Sequence, residues 1–374
     1  MGLISKDEFF NIENISWLYC GAESPSLKRG IIKIEDYFIN RSKGPIGRDK
    51  SKNVSNNCKE KIAKLANSKP ENIAFTSSTS ESISLIINSL NLKKGDNIII
   101  TNTEHSAGVL PSLAQKEKGV HIKLILHKNW EIIIDDILEK TDDNTRAIII
   151  SHVSYMTGSR INYKRLYEYL QNKNILMILD ATQSMGALPV DAQYTDFLVC
   201  SSYKWLLGHH GLGILVENPS SKTDINPDFI GWRSIREQFH DKRFNDYYLH
   251  KNTNRFELGY PSYTTIYNLN YSIEVLLNIG INNIKNHIIS LGNVLIHNLK
   301  TLGLNIMSPE GKGNRSGNIC VFCKNGKWVE TKLAEKGIFI WGGDERIRIS
   351  IHLFNNENDI DLITTELKSL IEFF

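Results

Sequence analysis

Lys204 is the residue of this sequence with the clearest chemical potential. It follows the apolar stretch at residues 197–200 and precedes a glycine-rich turn. A buried ammonium group is costly, and that cost lowers the pKa of a lysine and makes its neutral amine a usable nucleophile. Taken alone, Lys204 is better explained as a strand-end lysine whose ammonium group reaches water. Its chemistry therefore depends on the residues that accompany it.

Two further polar side chains occupy similar positions. Asp180 directly follows the apolar stretch at residues 175–179, where a carboxylate is partly desolvated and needs a cation or a strong hydrogen-bond donor. His105 follows the apolar stretch at residues 97–101, where its ring can stack on a planar ligand or transfer a proton. Helix capping is the alternative explanation for Asp180, and a surface loop explains His105 equally well.

The segment at residues 76–81 predicts the start of a helix just after a strand. Ser78 and Glu81 have the spacing of a capping box. A helix N-terminus presents free N–H groups and the positive end of a dipole, which suits a phosphate, and the hydroxyls of Thr79 and Ser80 add two donors. An ordinary helix cap is the simpler interpretation of this segment alone.

A phosphate-binding turn, a ring that can stack, an acid and a lysine thus occur in that order, each at the end of a predicted strand. Pyridoxal 5′-phosphate (PLP) needs all four. The lysine forms a Schiff base with its aldehyde, and the acid pairs with the protonated pyridine nitrogen so that the ring can accept electrons.

The elements that must position these residues alternate regularly from residue 72 onwards. Continuous apolar stretches such as NIIIT are typical of a parallel sheet covered by helices on both faces. The predicted strands are residues 73–75, 97–101, 120–126, 146–151, 175–179, 196–200 and 212–216. Helical periodicity fits residues 80–90, 109–116, 131–139 and 163–172. The pattern predicts an α/β domain with a large doubly wound, mostly parallel seven-stranded sheet.

Three parts of the chain are expected. Residues 1–50 form an N-terminal segment that contributes to a small domain and to the active-site entrance, with a loop at residues 44–48. Residues 51–262 form the large PLP-binding domain, which ends in a polar, aromatic connection long enough to indicate a function. Residues 263–374 form an interdomain helical region, either one helix or two, and a small C-terminal α+β domain.

Composition excludes several classes of protein. The 374-residue chain has a formal net charge of only +3 with its lysines dispersed, so we expect neither a nucleic-acid partner nor a membrane surface. No apolar run approaches the length of a membrane span, and no signal peptide is visible. The five cysteines include Cys320 and Cys323, but no second pair of metal ligands accompanies them. We therefore expect no metal and a reduced, cytoplasmic protein.

Four motifs together resemble the class V aminotransferase family of fold-type I PLP enzymes, which includes cysteine desulfurases and isopenicillin N epimerase-like proteins. They are TEHSA around His105, DATQS around Asp180, SSYKWLLG around Lys204 and RISIHLFNN from Arg348 onwards. The resemblance extends from about residue 19 to the end of the chain. Each motif alone is weak evidence, but their order and spacing are specific to this family.

The resemblance implies a role for each matching residue. Lys204 is the Schiff-base lysine, Asp180 the partner of the pyridine nitrogen and His105 the stacking ring, and these three are the implied catalytic residues. Arg348 is the residue that binds the substrate α-carboxylate with its guanidinium fork. The other implied ligands are Gln183 at the ring hydroxyl, Thr79, Ser80, Ser201 and Tyr203 at the phosphate, Tyr260 at the phosphate of a partner subunit, and Tyr155 beside the substrate. The resemblance therefore also implies a homodimer with its active sites at the interface.

Departures from the family pattern narrow the range of reactions that the resemblance implies. Tyr203 replaces a histidine that many desulfurases have before the lysine, and Tyr260 replaces a threonine. The region at residues 337–346, where desulfurases carry their persulfide-forming cysteine, is short and has none. The leading hypothesis is thus a PLP-dependent enzyme of the aminotransferase family that acts at Cα of an α-amino acid without persulfide chemistry. A C–S lyase, a desulfurase-like enzyme and an epimerase are alternatives, as is a non-catalytic homologue with the same fold.

Overall fold

The computed structural model describes residues 2–221 and 225–374. The α-helices of these residues are α1 (Lys28–Arg41), α2 (Gly44–Ala66), α3 (Thr79–Asn88), α4 (Ser106–Ala114), α5 (Ile134–Lys140), α6 (Tyr163–Leu170), α7 (Tyr263–Ile279), α8 (Ile281–Thr301), α9 (Gly326–Ala334) and α10 (Glu357–Ser369). The strands are β1 (Ser16–Trp17), β2 (Ile73–Thr76), β3 (Asn97–Thr101), β4 (His121–Ile125), β5 (Thr145–Ser151), β6 (Leu176–Asp180), β7 (Phe197–Ser201), β8 (Gly213–Glu217), β9 (Ile235–Arg236), β10 (Tyr248–Leu249), β11 (Asn318–Phe322), β12 (Ile338–Phe339), β13 (Trp341–Gly343) and β14 (Arg346–Ser350).

A seven-stranded sheet forms the centre of the larger part of the molecule. Its strand order is β2-β8-β7-β6-β5-β3-β4. Strand β8 runs antiparallel to both of its neighbours, and the other neighbouring pairs are parallel. These are the seven strands that the apolar stretches predict, so the expectation of an α/β fold with a mostly parallel sheet is confirmed.

Alternation along the strands explains why the sequence folds this way. In β6, Leu176 and Ile178 belong to one apolar cluster, whereas Met177 and Leu179 belong to the other. Successive side chains of a strand point to opposite faces of a sheet, so an uninterrupted apolar strand has to be covered on both faces. The polar residues therefore lie at the strand ends, where helices do not cover the edge of the sheet.

The C-terminal part forms a smaller α+β unit. Strands β11, β14 and β13 make an antiparallel sheet in that order. The N-terminal residues extend this unit, because β1 pairs in parallel with β12 and Ser350 N donates to Leu18 O over 2.8 Å. The ion pair between Lys6 and Asp359, at 2.6 Å, also joins the two ends of the chain.

The structure shows that one local expectation is wrong and decides between the two alternatives of another. Residues 44–48, expected as a loop, form the first turns of α2, because Pro45 lies in the first turn of that helix, where its missing N–H group costs no hydrogen bond. The helical region after residue 263 consists of two helices. They meet at Gly280, whose φ of 87° is readily adopted only by glycine.

Within residues 2–221 and 225–374, none of the helices combines the length and the apolar character that crossing a membrane requires.

Candidate active site

The turn between β2 and α3 contains the predicted phosphate-binding residues. The Ser78 side chain caps α3 by accepting a hydrogen bond from Glu81 N over 3.1 Å. The Glu81 carboxylate accepts from Ser77 N and Ser77 Oγ. The predicted capping box is therefore correct for Ser78, but the return hydrogen bond goes to Ser77. The first N–H groups of α3, at Thr79 and Ser80, lie at the mouth of this turn and have no acceptor within the helix.

His105 is the N-cap residue of α4. Its Nδ1 atom accepts a hydrogen bond from Ala107 N over 3.1 Å, so the proton of the neutral ring lies on Nε2. Burial lowers the pKa of His105, and the positive charge of Lys204 lowers it further. The ring meets that of Tyr155 edge-on, with 5.2 Å between the ring centroids. His105 is thus held as a neutral, oriented ring.

Asp180 ends β6 and Gln183 follows one turn later. Asp180 Oδ1 accepts a hydrogen bond from Thr182 N over 2.8 Å, which fixes the carboxylate at the strand end. The Gln183 amide is held at both ends, since its Nε2 donates to Gly21 O over 2.8 Å and its Oε1 accepts from Trp205 Nε1 over 3.0 Å. One hydrogen of Nε2 remains for a ligand.

Lys204 lies three residues beyond the end of β7. Its Nζ atom is 5.6 Å from the centroid of the Tyr203 ring and has no hydrogen-bond or ion-pair partner among the described residues. Burial lowers the pKa of Lys204 to about 8; Arg348 acts in the same direction, and Asp180 opposes both. A substantial fraction of the amine is therefore neutral near physiological pH, as a nucleophile or a base requires.

Arg348 reaches the site from the smaller unit on β14. Its Nη1 atom donates to Tyr155 O over 3.0 Å, and its guanidinium lies 5.3 Å from the centroid of the Trp341 ring. Its Nε atom is buried without a partner. Burial lowers the pKa of Arg348 to about 10, which leaves it protonated at neutral pH.

A cavity of about 240 Å³ brings most of the predicted residues together, close to the lower end of the range for small-molecule sites, roughly 300 Å³. The predicted residues that line it are Thr79, Ser80, His105, Tyr155, Asp180, Gln183, Ser201, Tyr203 and Lys204. Arg348 lies behind this wall and touches it through Tyr155. All five cysteines of the chain are buried and unpaired, and none lines the cavity.

Tyr260 does not line this cavity. It is 50% exposed and lines a larger surface depression together with residues of α1 and α2. Its ring packs edge-on against that of Trp232, at 5.5 Å between centroids. Within a single chain, the structure thus separates Tyr260 from the other predicted ligands.

Four residues that the sequence did not single out also shape the site. The hydroxyl of Thr182 lies 3.3 Å from Thr79 Oγ1 and accepts from Ser201 N over 3.3 Å, so it ties the start of α3 to the end of β7. His210 stacks on Tyr203 with 3.9 Å between the ring centroids. Thr182 could have been found from its place two residues after the strand-end Asp180, whereas no local signal marks His210.

The other two, Gly21 and Glu104, lie behind the cavity wall. A Cβ atom on Gly21 would come within 2.8 Å of Arg348 Nε, so only glycine allows this approach. The buried carboxyl of Glu104 accepts from Ser151 N over 2.9 Å, and burial raises the pKa of Glu104 to about 7. Both depend on contacts with distant parts of the chain, which no local pattern reveals.

The residues present fit PLP. The start of α3 offers unpaired N–H groups to a phosphate, and Ser201 Oγ is buried without a hydrogen bond of normal geometry. Among the described residues Lys204 Nζ has no partner, Asp180 presents a fixed carboxylate, and Gln183 retains one free N–H group. The cavity thus contains groups whose chemistry matches the phosphate, the aldehyde, the ring nitrogen and the ring hydroxyl of PLP.

A mostly parallel seven-stranded sheet with this lysine, acid and phosphate-binding turn at its strand ends defines a fold-type I PLP-dependent enzyme. The sequence profile of the class V aminotransferases matches residues 31–363, and the chain belongs to this family. Members of the family are PLP-dependent transferases or lyases, and PLP is accordingly the cofactor of this chain.

Curated relatives extend over most of the chain. A probable cysteine desulfurase of Methanothermobacter thermautotrophicus is 25% identical over 83% of this chain and 82% of its own length. An uncharacterised aminotransferase of Schizosaccharomyces pombe is 27% identical over 95% of this chain and 92% of its own length. The relatives thus include both desulfurases and aminotransferases.

Solved structures have the same fold. The apo structure of a cysteine desulfurase from Thermococcus onnurineus superposes with a TM-score of 0.89 at 21% identity, covering 99% of this chain and 98% of that one. The cystine C–S lyase C-DES, solved with its reaction product cysteine persulfide, superposes with a TM-score of 0.87 at 19% identity over 96% and 99% of the two chains.

Proposed function

We propose that this protein is a PLP-dependent enzyme that breaks a bond at Cα of a free α-amino acid, with Lys204 as its cofactor-binding and proton-transferring residue. The observation that carries the proposal is the unpartnered Nζ of Lys204, which faces a cavity that also presents Asp180 and a helix N-terminus. A structural lysine would have an acceptor or reach open solvent instead.

Each residue of the cavity has a distinct task in this proposal. When bound, PLP supplies an aldehyde and a ring that accepts the electrons left at Cα. Lys204, with its pKa lowered to about 8, takes the Cα proton as a general base. Asp180 holds a proton on the ring nitrogen, and the neutral ring of His105 stacks on the cofactor.

The remaining predicted ligands fix the position of the cofactor. Thr79, Ser80, Ser201 and Tyr203 hold its phosphate, supported by their common place around the start of α3 and the end of β7. Gln183 donates to the ring hydroxyl with its free Nε2 hydrogen, and the two hydrogen bonds that fix its amide support this role.

The substrate α-carboxylate binds Arg348 in this proposal. The buried, unpartnered Nε of Arg348 supports this assignment, since a buried donor gains most from a ligand that satisfies it. Tyr155, whose carbonyl oxygen accepts from Arg348 and whose ring meets His105, separates the carboxylate position from the cofactor. A substrate that binds Arg348 in this way has a free α-carboxylate, as an amino acid does and an internal residue of a peptide does not.

A C–S lyase acting on cysteine or cystine is the second candidate. The burial of all five cysteines favours it over a desulfurase that carries a persulfide on the protein, because none of these thiols reaches the cavity. The likeness to C-DES is consistent with it at the level of the fold. Transamination and epimerisation begin with the same removal of the Cα proton and remain alternatives.

We also propose a homodimer in which the Tyr260 segment approaches the active site of the other subunit. Exposed aromatic and aliphatic side chains around this segment support it, because such a concentration of apolar surface typically marks an interface. They are Phe229, Ile230, Trp232, Phe239, Phe244, Tyr247 and Tyr248. Sedimentation of the holoenzyme should give twice the chain mass, and a monomeric enzyme with full activity would contradict this proposal.

Two further proposals concern the domain limits and the cellular location of the protein. The domain limits that we propose are residues 1–50, 51–262 and 263–374, and the pairing of β1 with β12 supports the contribution of the N-terminal segment to the small domain. A cytoplasmic location is supported by five unpaired thiols.

The function is tested by exposing the holoenzyme to a panel of amino acids and identifying the products. A keto acid with one amino group retained by the cofactor indicates transamination, inverted substrate indicates epimerisation, and sulfide with pyruvate indicates a C–S lyase. Alkylation and mass spectrometry should find no persulfide on the protein. A holoenzyme that binds PLP but neither changes its absorbance nor turns over any amino acid would identify a non-catalytic homologue.

A further inference from the structure

A second cavity, of about 320 Å³, opens at the N-terminus of α6 and shares no lining residue with the first. His152, Arg160 and Lys164 line it, and none of its lining residues is acidic. Both cavities are lined by residues of the connection between β5 and α6. Tyr155 lines the first cavity, whereas His152 and Arg160 line the second.

Arg160 brings an unneutralised charge to this cavity. Its Nε atom donates to His152 Nε2 over 3.0 Å, and in the described part of the chain no carboxylate lies within ion-pair distance of its guanidinium. Burial lowers the pKa of Arg160, so its charge is also poorly solvated. A half-buried guanidinium with free N–H groups and no counter-ion is an unfavourable arrangement that an anion would relieve.

Three carboxylates near this part of the chain have other partners. Asp191 is 2.9 Å from Lys164 Nζ in an ion pair, and its backbone N donates to the Tyr163 hydroxyl. Glu104 and Glu131 line a small neighbouring cavity together with Arg160. Glu104 accepts from Ser151 N over 2.9 Å, and Glu131 accepts from Asn314 Nδ2 over 3.4 Å. None of the three forms an ion pair with Arg160.

His152 adds a neutral donor. It is fully buried, and burial together with the charge of Arg160 lowers its pKa well below the usual value, which keeps the ring neutral. Because Nε2 accepts from Arg160, the ring proton lies on Nδ1. That buried Nδ1 atom has no hydrogen-bond partner among the residues that the structure describes.

The N-terminus of α6 supplies the third group of hydrogen-bond donors. The Asn162 side chain caps the helix through Arg165 N over 3.3 Å, and the N–H groups of Tyr163 and Lys164 belong to the first turn, where they have no acceptor within the helix. The positive end of the helix dipole therefore points towards the same cavity as Arg160.

We propose that Arg160, His152 and the first turn of α6 form a binding site for a small oxyanion, for which inorganic phosphate is the test ligand. A guanidinium fork, free backbone N–H groups and a neutral imidazole N–H are all donors, and this combination selects an oxygen-rich anion over a cation or an apolar molecule. The site is independent of the proposed catalytic function.

The test is a calorimetric titration of the PLP-loaded protein with inorganic phosphate, because bound PLP occupies the phosphate-binding turn at α3. We expect one phosphate per chain in the native protein and at least about tenfold weaker binding in Arg160→Gln. Arg165→Gln is the matched control, since Arg165 lies on the same helix but is exposed and pairs with Asp135 at 2.6 Å. It should bind phosphate like the native protein.

Equal binding by Arg160→Gln, or no heat of binding up to about 10 mM phosphate, would overturn the proposal. If Arg160→Gln does not fold, Lys164→Gln takes its place, with a smaller expected loss of severalfold because Lys164 is already paired with Asp191. Loss of the binding in Thr79→Val with retention in Arg160→Gln would assign the phosphate to the turn at α3 instead. A chain that takes up no PLP would refute the proposed function but leave this titration interpretable through that pair of variants.

Discussion

The two sides of the candidate active site are built in different ways. The sheet-edge cluster, defined here as Thr79, Ser80, His105, Asp180, Ser201 and Lys204, comes from the ends of neighbouring strands of one sheet. The arginine cluster, defined as Gly21, Tyr155 and Arg348, joins the N-terminal segment, the connection after β5 and strand β14. Strand pairing within a single sheet positions the sheet-edge cluster, whereas close packing between distant segments positions the arginine cluster.

This difference explains where unsatisfied groups occur. In the sheet-edge cluster, the first N–H groups of α3 and the Lys204 amine are left for a cofactor. In the arginine cluster, the Nε–H group of Arg348 is buried beside Gly21 and has no hydrogen-bond partner among the described residues.

Replacing Lys204 should have the largest effect. We expect Lys204→Ala to lower turnover by roughly 10³–10⁴-fold or more, because both the amine that binds the cofactor and the proposed general base are lost. Borohydride reduction of the native holoenzyme should attach the cofactor to the peptide that contains Lys204. Lys173→Ala, at a surface position next to Tyr169, is the control and should keep full activity. A fully active Lys204→Ala variant would refute the mechanism.

Replacing Arg348 tests the arginine cluster. Loss of a charge-assisted hydrogen bond typically costs about 1.5–3 kcal/mol, so Arg348→Ala should lower kcat/KM by roughly 10–100-fold, mainly through KM. Arg348→Lys should recover only part of this, because an ammonium lacks the guanidinium fork. Unchanged KM values for all amino acids would mean that the carboxylate binds elsewhere.

The same variant has a pH signature. Arg348 helps to hold the pKa of Lys204 at about 8, so its removal should raise that pKa. Acylation of Lys204 in the cofactor-free protein should therefore increase with pH through about pH 8 in the native chain, and at higher pH in Arg348→Ala. A profile that does not move would show that the two cationic groups do not interact.

Adding one methyl group at Gly21 tests the packing that supports Arg348. A Cβ atom there would lie 2.6 Å from Asn318 Oδ1 and 2.8 Å from Arg348 Nε. We expect Gly21→Ala to raise KM several-fold and to destabilise the fold by about 1–3 kcal/mol, as overpacking does. Gly311→Ala is the matched control, because the atoms nearest to its Cβ position, those of Asn314, are 3.9 Å away. Equal KM and stability in both variants would contradict the tight approach.

Replacing Glu104 tests the wall behind the cavity, and its effect on stability should depend on pH. Its folded-state pKa of about 7 exceeds the unfolded value of 4.5, so the protonated form that the fold favours is lost as pH rises. Between pH 4.5 and 7, native stability should therefore fall relative to Glu104→Gln, by at most on the order of 3 kcal/mol. Urea unfolding at several pH values measures this difference, with Glu139→Gln at an exposed position as control. Parallel pH profiles for Glu104→Gln and the native chain would refute the buried-carboxyl account.

Much of the fold could be predicted because its signals are local. Continuous apolar strands, helical periodicity and polar strand ends place the seven strands of the sheet and the candidate residues at their ends. The start of α2 was missed because a Gly-Pro pair favours a turn as readily as a helix N-terminus. The return hydrogen bond of Glu81 to Ser77 was missed because a one-residue shift leaves the sequence pattern unchanged.

By itself, the sequence determined the sheet-edge cluster and the family, because uninterrupted apolar strands leave their polar residues at one edge of a parallel sheet. Only the tertiary structure decided the arginine cluster, since Gly21, Tyr155 and Arg348 meet across more than three hundred residues of chain. It also decided that Tyr260 lies apart from the cavity and that Arg160 has no counter-ion within residues 2–221 and 225–374. Those facts depend on which segments pack together, and no local pattern of residues encodes them.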